Sequence, residues 1–166
     1  MKLIEGLKKL RNIEKKIKKN CEYITEYSSK LSNEKPEFDS DNEQKIEIEQ
    51  LLQSNKDLSE LYLNLKKKID KTNIMTECTI NDETRSLHEF LTIQRKIGNL
   101  LIKTYNSLNE HKAQSKLTIY RGVDKISIDR LYSEKMKNEK IRYYSDLIDE
   151  INSSLEVINA TTDIIE

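Results

Sequence analysis

Apolar residues recur every seven positions along the first part of the chain. One row is formed by Leu3, Leu10, Ile17, Ile24 and Leu31, and Leu7 and Cys21 fill the row beside it. Adjacent rows at this spacing are typical of a helix that buries one side against another helix. The pattern predicts a first helix over residues 3–31, which ends before a segment that contains the only proline, Pro36.

A second helix is predicted to begin at Ser40, because Ser40 and Glu43 have the spacing of a capping box, and to end near Thr72 and Asn73. Its two apolar rows consist of Ile48, Tyr62 and Ile69, and of Leu51, Leu58 and Leu65. Asn55 interrupts the first row. A single polar residue in such a row commonly fixes the register of two helices, and this role is predicted for Asn55.

Two more helices and two extended segments complete the pattern. The third helix opens at a capping box of Ser86 and Glu89, and the fourth begins near Asp129 and runs almost to the end. Apolar and polar residues alternate over residues 74–80, between the second and third helices, and over residues 117–123, between the third and fourth. Alternation with period two predicts short extended segments at both places.

These elements predict an all-α fold in which residues 1–166 form a single helical domain. Long antiparallel helices with short connections favour a four-helix bundle or coiled-coil hairpins. One proline and three glycines are too few for a many-stranded β fold. A balance of 29 basic and 29 acidic residues, with 36% apolar residues, argues against disorder.

Charge is unevenly distributed along this neutral chain. Residues 1–20 contain eight basic and two acidic residues, a net charge of +6, whereas residues 34–60 contain three basic and nine acidic residues, a net charge of −6. Opposite signs predict that the first two helices lie side by side. The alternative is that the lysines of the first helix form a stripe that binds phosphates.

Five short motifs lie at or near the ends of the predicted elements. They are M-K-L-I-E-G-L at 1–7, I-D-K-T-N at 69–73, L-H-E-F-L at 87–91, the extended segment at 115–123, and N-A-T-T-D-I at 159–164. In this order they resemble motifs of a family of small bacterial helical proteins often labelled septicolysin. The chain departs from the family at Ala160, where the family has Trp. The resemblance implies a helical fold and no particular activity, and the family's label suggests a cytolysin-like, membrane-active protein.

Topology predicts that four of these motifs meet. In an up-down-up-down bundle, the starts of the first and third helices lie at the same end as the finishes of the second and fourth. The resulting candidate interaction cluster consists of Glu5, Thr72, Asn73, Glu89, Asn159 and Thr162. Helix capping alone is the other explanation for these residues. The two extended segments are expected to pair between subunits and to hold an oligomer together.

The residues that carry most enzyme chemistry are sparse and scattered. The two histidines are His88, beside Glu89, and His111, whereas a metal site needs three or four converging donors. Cys21 and Cys78 lack the spacing of a metal or disulfide framework. No catalytic residue, metal or cofactor is therefore predicted, and the chain is not expected to be an enzyme.

The composition favours a cytoplasmic scaffold. Two cysteines without a framework suit a reducing compartment, and no apolar run approaches the roughly 18 residues that a spanning helix needs. We expect a non-enzymatic helical scaffold or protein-interaction module that forms a homo-oligomer, with another protein partner possible. The alternatives are a weak binder of nucleic acid or anionic surfaces through the Lys-rich first helix, and a membrane-active protein.

Overall fold

A computed structural model describes residues 1–117, 119 and 126–165 of the chain. Helices make up 73% of the described residues and a small two-stranded sheet accompanies them, which confirms the prediction of a mainly helical protein. The chain divides into two compact units. The first contains Met1–Asn73 and the described residues from Ile158 onward, and the second contains Ile74–Val157. That residues 1–166 act as a single domain stays a prediction.

The first unit is built on two long helices, α1 (Leu3–Tyr27) and α2 (Asp41–Met75, of which the last two residues belong to the second unit). Hydrogen bonds between them join Glu14 to Tyr62 (2.9 Å), Asn20 to Asn55 (2.9 Å) and Tyr27 to Gln44 (2.7 Å). Residues later in α1 bond residues earlier in α2. The two helices are therefore antiparallel.

The ends of these helices lie close to the predicted positions. The Ser40 hydroxyl accepts the backbone N–H of Glu43 at 3.2 Å, and α2 begins at the following residue. At its other end α2 continues to Met75, beyond the predicted end at Thr72 and Asn73. The first helix is shorter than predicted: it ends at Tyr27, and Leu31, the last residue of the predicted row, is 64% exposed.

The register of α1 and α2 keeps the oppositely charged runs largely apart. Gly6 lies against Ile69, where an added Cβ would be 3.2 Å from the Ile69 side chain, so residues 1–20 lie beside the second half of α2. That half contains three consecutive lysines, residues 66–68. The acidic run lies beside the end of α1, where Lys30 forms a salt bridge with Asp41 at 3.3 Å. The helices are neighbours, as predicted, and their register offsets the basic run from much of the acidic run along the hairpin.

The C-terminal segment of the first unit packs where α1 starts and α2 ends. The Leu3 N–H donates to the Thr162 carbonyl at 2.9 Å, and the Ile164 N–H donates to the Met1 carbonyl at 2.8 Å. Leu3 and Ile69 are buried there. This end holds much of the buried apolar core of the first unit.

A β-hairpin opens the second unit. Strand β1 (Glu77–Ile80) pairs antiparallel with β2 (Glu83–Ser86), and Asn81 and Asp82 form the two-residue turn between them. Their φ angles of 52° and 60° are those of a type I′ turn, a conformation that Asn and Asp tolerate better than most residues. The extended segment predicted at 74–80 is therefore a strand from Glu77 onward.

The predicted pairing between the two extended segments does not describe this sheet. β1 forms its ladder with β2 of the same chain, with Cys78 opposite Arg85. Of the segment 117–123, Leu117 is the last residue of a helix, which corrects the extended prediction at that position. Residues 118 and 120–123 lie outside the described residues.

The helices of the second unit are more broken than the sequence pattern suggests. They are α3 (Leu87–Thr92), a π-helical turn (Ile93–Ile97), α4 (Gly98–Asn106), α5 (His111–Leu117) and α6 (Glu134–Thr161, which ends in the first unit). The predicted capping box starts α3: Ser86 accepts the Glu89 N–H at 3.3 Å, and Glu89 accepts the Ser86 N–H at 2.9 Å. The last helix begins five residues later than the predicted Asp129. Buried apolar residues of this unit are Ile80, Leu87, Phe90, Leu147 and Ile151.

Candidate interaction groove

Three residues of the predicted cluster lie at one end of the first unit. The Glu5 carboxylate accepts the backbone N–H of Lys2 at 2.9 Å and so caps the start of α1. The Thr72 hydroxyl accepts the Ile165 N–H at 2.9 Å, and the Thr162 carbonyl accepts the Leu3 N–H at 2.9 Å. These bonds join the start of α1, the end of α2 and the C-terminal segment.

The remaining cluster residues add little that points to a ligand. Asn73 and Asn159 are half-buried in the first unit, whereas Glu89 belongs to the second unit. Hydrogen bonds from the Ser86 hydroxyl and backbone N–H lower the pKa of Glu89, as expected for a capping carboxylate. Capping accounts for Glu5 and Glu89. That the six residues form one interaction cluster stays a prediction.

A different feature of the first unit has the character of a binding site. α1 and α2 together line a groove of about 730 Å³. Its apolar floor consists of Ile13, Leu58, Leu61 and Leu65; the polar lining residues are Lys9, Lys16, Lys68, Asn12 and Asn64; and Met1 completes the lining. Three ammonium groups therefore surround an apolar surface that remains open to solvent.

The groove follows from the width of the apolar stripe on α2. Leu58 and Leu65 belong to a predicted row, and Leu61 widens that row to the i, i+3, i+7 spacing of a broad helical face. One neighbouring helix covers only part of such a face. Leu61 consequently remains 59% exposed beside α1. The sequence signal for the groove was this third leucine, which the two heptad rows omit.

The α1–α2 hairpin (residues 1–73) is electrically polarised along its length. We define its basic half as residues 1–20 and 55–73, with thirteen basic and five acidic residues and a net charge of +8. The acidic half, residues 21–54, has three basic and nine acidic residues and a net charge of −6. All lining residues of the groove lie in the basic half.

The side chains that line the groove suit the binding of a ligand or partner better than catalysis. Its described lining offers apolar carbons, ammonium groups and amides, and holds no carboxylate, imidazole or thiol that would act as acid, base or nucleophile. Elsewhere, burial raises the pKa of the Cys78 thiol, which is the opposite of what an activated cysteine requires. Within the described ranges, no group of three or more His, Cys, Asp and Glu residues is arranged to hold a metal ion.

Comparison with known proteins does not assign a function. No protein-family model, curated protein or solved structure matches this chain. Among the helices that the structure describes, none has both the length and the apolar character that crossing a bilayer requires. The groove is therefore the feature of this chain that points to a function.

Proposed function

We propose that the chain is a non-enzymatic helical interaction module that self-associates, with the groove between α1 and α2 as its binding face. The supporting observation is the open apolar floor, where Leu61 is 59% exposed in the middle of a row of leucines. Contiguous apolar surface ringed by polar groups is characteristic of protein interaction sites. Covering it with helices of a partner copy would complete the predicted bundle or coiled-coil packing.

The free energy available at this site can be estimated from Leu61. Complete burial of a leucine is worth about 1.5–3 kcal/mol, and more than half of this side chain is still exposed. Its burial in an interface would contribute about 1 kcal/mol per copy, and about 2 kcal/mol in a symmetric dimer. Since 1.4 kcal/mol corresponds to a factor of ten, losing both contacts should weaken dimerisation roughly 30-fold.

The test compares Leu61→Ser with Leu63→Ser. Both leucines are on α2 with nearly equal exposure, 59% and 60%, but Leu63 is not among the groove residues. Light scattering over a dilution series should show a wild-type dimer, weakened in Leu61→Ser and nearly unchanged in Leu63→Ser. A wild-type protein that stays monomeric at every concentration would refute the proposal, as would equal effects of the two substitutions.

The second candidate function is binding of an anionic polymer or surface. It is favoured by the register of the hairpin, because the three lysines at residues 66–68 lie beside the basic first part of α1. Nucleic-acid binding through these lysines should weaken steeply as salt rises. Retention of a labelled oligonucleotide at low salt, lost in Lys66→Gln/Lys67→Gln/Lys68→Gln, would establish this function; absence of retention in the wild type would exclude it.

The cytolysin-like alternative rests on the resemblance to the septicolysin-labelled family alone. Dye release from anionic vesicles is the direct test, and vesicles that stay intact at micromolar protein would argue against it. A cytoplasmic site of action stays a prediction from the cysteines, Cys21 and Cys78, both of which are free thiols.

A further inference from the structure

The groove face of α2 changes from apolar to acidic toward the start of the helix. Glu43 and Glu47 precede Leu61 and Leu65 by eighteen residues each, which is five turns of an α-helix. Residues five whole turns apart project from the same side. Both glutamates therefore extend the groove face of α2 into the acidic half.

α1 contributes an aromatic patch to the same part of this face. Tyr27 follows Lys9, a groove residue, by eighteen residues and so projects from the groove side of α1. Its ring stacks on Tyr23 with a centroid distance of 6.0 Å and meets the edge of Phe38 at 5.1 Å. The acidic half thus combines carboxylates with apolar ring surface, whereas the groove combines ammonium groups with apolar leucine surface.

These two parts of the face are complementary in charge and alike in apolar character. A second copy related by a two-fold axis perpendicular to the helices would place the acidic half of each chain on the basic half of the other. A parallel arrangement would instead place net +8 against net +8. Closed two-fold pairing of one self-complementary patch is the commonest form of homo-oligomer.

Ser54 marks the position of the axis. It lies seven residues, about two turns, after Glu47 and seven residues before Leu61, at the α1 side of this face, where it is half-buried and its hydroxyl accepts the Asn20 amide at 3.3 Å. Antiparallel pairing about Ser54 would pack the methylene groups of Glu47 and Glu43 on Leu61 and Leu65, and would leave the two carboxylates to pair with the lysines at the edge of the groove. The small serine side chain would allow the two helices to approach closely at their crossing.

We infer that the occupant of the groove is the α1–α2 hairpin of a second copy of this chain, packed antiparallel about Ser54. Lys9, Lys16 and Lys68 of each copy then face Glu43 and Glu47 of the other. α2 is 35 residues long, about 50 Å, so the shared face can extend over most of that length. This inference rests on the proposed function and adds the partner and its orientation.

A charge exchange tests the complementarity. The acidic variant is Lys9→Glu/Lys16→Glu/Lys68→Glu and the basic variant is Glu43→Lys/Glu47→Lys, with circular dichroism confirming that each folds. Each variant alone should dimerise at least about tenfold more weakly than wild type, because like charges then oppose each other. The equimolar mixture should regain affinity within about threefold of wild type. The inference is overturned if the acidic variant dimerises like wild type, or if mixing restores nothing.

Disulfide trapping tests the orientation, in a Cys21→Ser/Cys78→Ser background. In the antiparallel dimer two Ser54→Cys residues meet at the axis, whereas two Lys68→Cys residues are about 42 Å apart along the helices. A disulfide needs Cα atoms within about 7 Å. Cross-linking is expected at position 54 and not at position 68. Equal cross-linking at both positions would indicate a parallel dimer and defeat this inference while leaving self-association intact; a monomeric wild type would defeat both.

Discussion

Removing the amide pair Asn20–Asn55 should loosen the α1–α2 hairpin by a measurable amount. The Asn20 side-chain nitrogen donates to Asn55 Oδ1 at 2.9 Å and to Ser54 Oγ at 3.3 Å, and the Asn55 nitrogen lies 3.6 Å from Cys21 Sγ. Both asparagines are half-buried. They are positioned where α1 and α2 face each other, so their bond exists only when the two helices are in this register.

The expected loss of stability follows from the strength of a hydrogen bond between neutral side chains. A neutral hydrogen bond contributes about 0.5–1.5 kcal/mol net, and partners in contact commonly show a coupling energy in this range. Asn20→Ala and Asn55→Ala should each lower the free energy of unfolding by about 1 kcal/mol. The double variant should cost about 1 kcal/mol less than the sum of the single variants. With a urea slope near 2 kcal/mol/M, each single substitution moves the midpoint down by about 0.5 M.

The assay is urea unfolding followed by far-UV circular dichroism for the two single variants and the double variant. Gln50→Ala provides the control, because Gln50 is an exposed residue of the same helix. Its midpoint should move by no more than about 0.25 M, the range of ordinary surface substitutions. A coupling energy near zero, with single variants as stable as the control, would show that the amide pair does not hold the register.

Two further predictions concern the second unit. The Ser86 hydroxyl and N–H lower the pKa of Glu89 below its ordinary value of 4.5, so the cap stabilises the fold above that pH and this contribution is lost as pH falls through the lowered pKa. Glu89→Gln should therefore flatten the acid side of a plot of melting temperature against pH. An unchanged plot would contradict the role of Glu89 as a charged cap. Gly98→Ala should lower the free energy of unfolding by about 1–2 kcal/mol, because an added Cβ would lie 2.8 Å from Ile148 Cδ1 and 2.9 Å from its Cγ1; the better helix propensity of alanine offsets part of this cost. Asn99→Ala, at an exposed neighbouring position, is the control. A Gly98→Ala variant more stable than wild type would show that this contact is loose.

Local signals in the sequence located the helix caps well. Ser40 accepts the Glu43 N–H, and Ser86 and Glu89 form both bonds of a capping box. A cap depends on residues three positions apart, so the chain carries the whole arrangement within one turn. Helix boundaries that depend on such a motif could be predicted to within one residue.

Only one strand of the β-hairpin could be predicted from the sequence. β1 has the alternation of a strand, but β2 reads Glu-Thr-Arg-Ser and has no buried residue, so hydrophobic periodicity does not mark it. The available signal was the turn, because Asn81 and Asp82 are residue types that accept positive φ. A pair of threonine hydroxyls, Thr79 and Thr84 at 2.8 Å, joins the strands instead of an apolar contact.

The break in the third predicted helix has no local signal. A π-helical turn at Ile93–Ile97 separates α3 from α4, and no proline accompanies it. Its surroundings depend on α6: the Gln94 amide donates to Asn152 at 2.9 Å, and Gly98 leaves room for Ile148. Such a turn is selected by tertiary packing, which a single-sequence pattern does not contain.

The register of the hairpin shows that the opposite charges of the two runs do not set the alignment of the helices. Net charges of +6 and −6 act over many residues and through solvent, so exposed pairs contribute only about 0.2–1 kcal/mol each. Burial of Leu3, Leu10 and Ile69, together with the Asn20–Asn55 bond, is short-range and specific, and it selects one alignment. That alignment separates the charges along the hairpin rather than cancelling them across it. Under the proposed self-association, the opposite half of a second copy is the surface that complements this polarised hairpin.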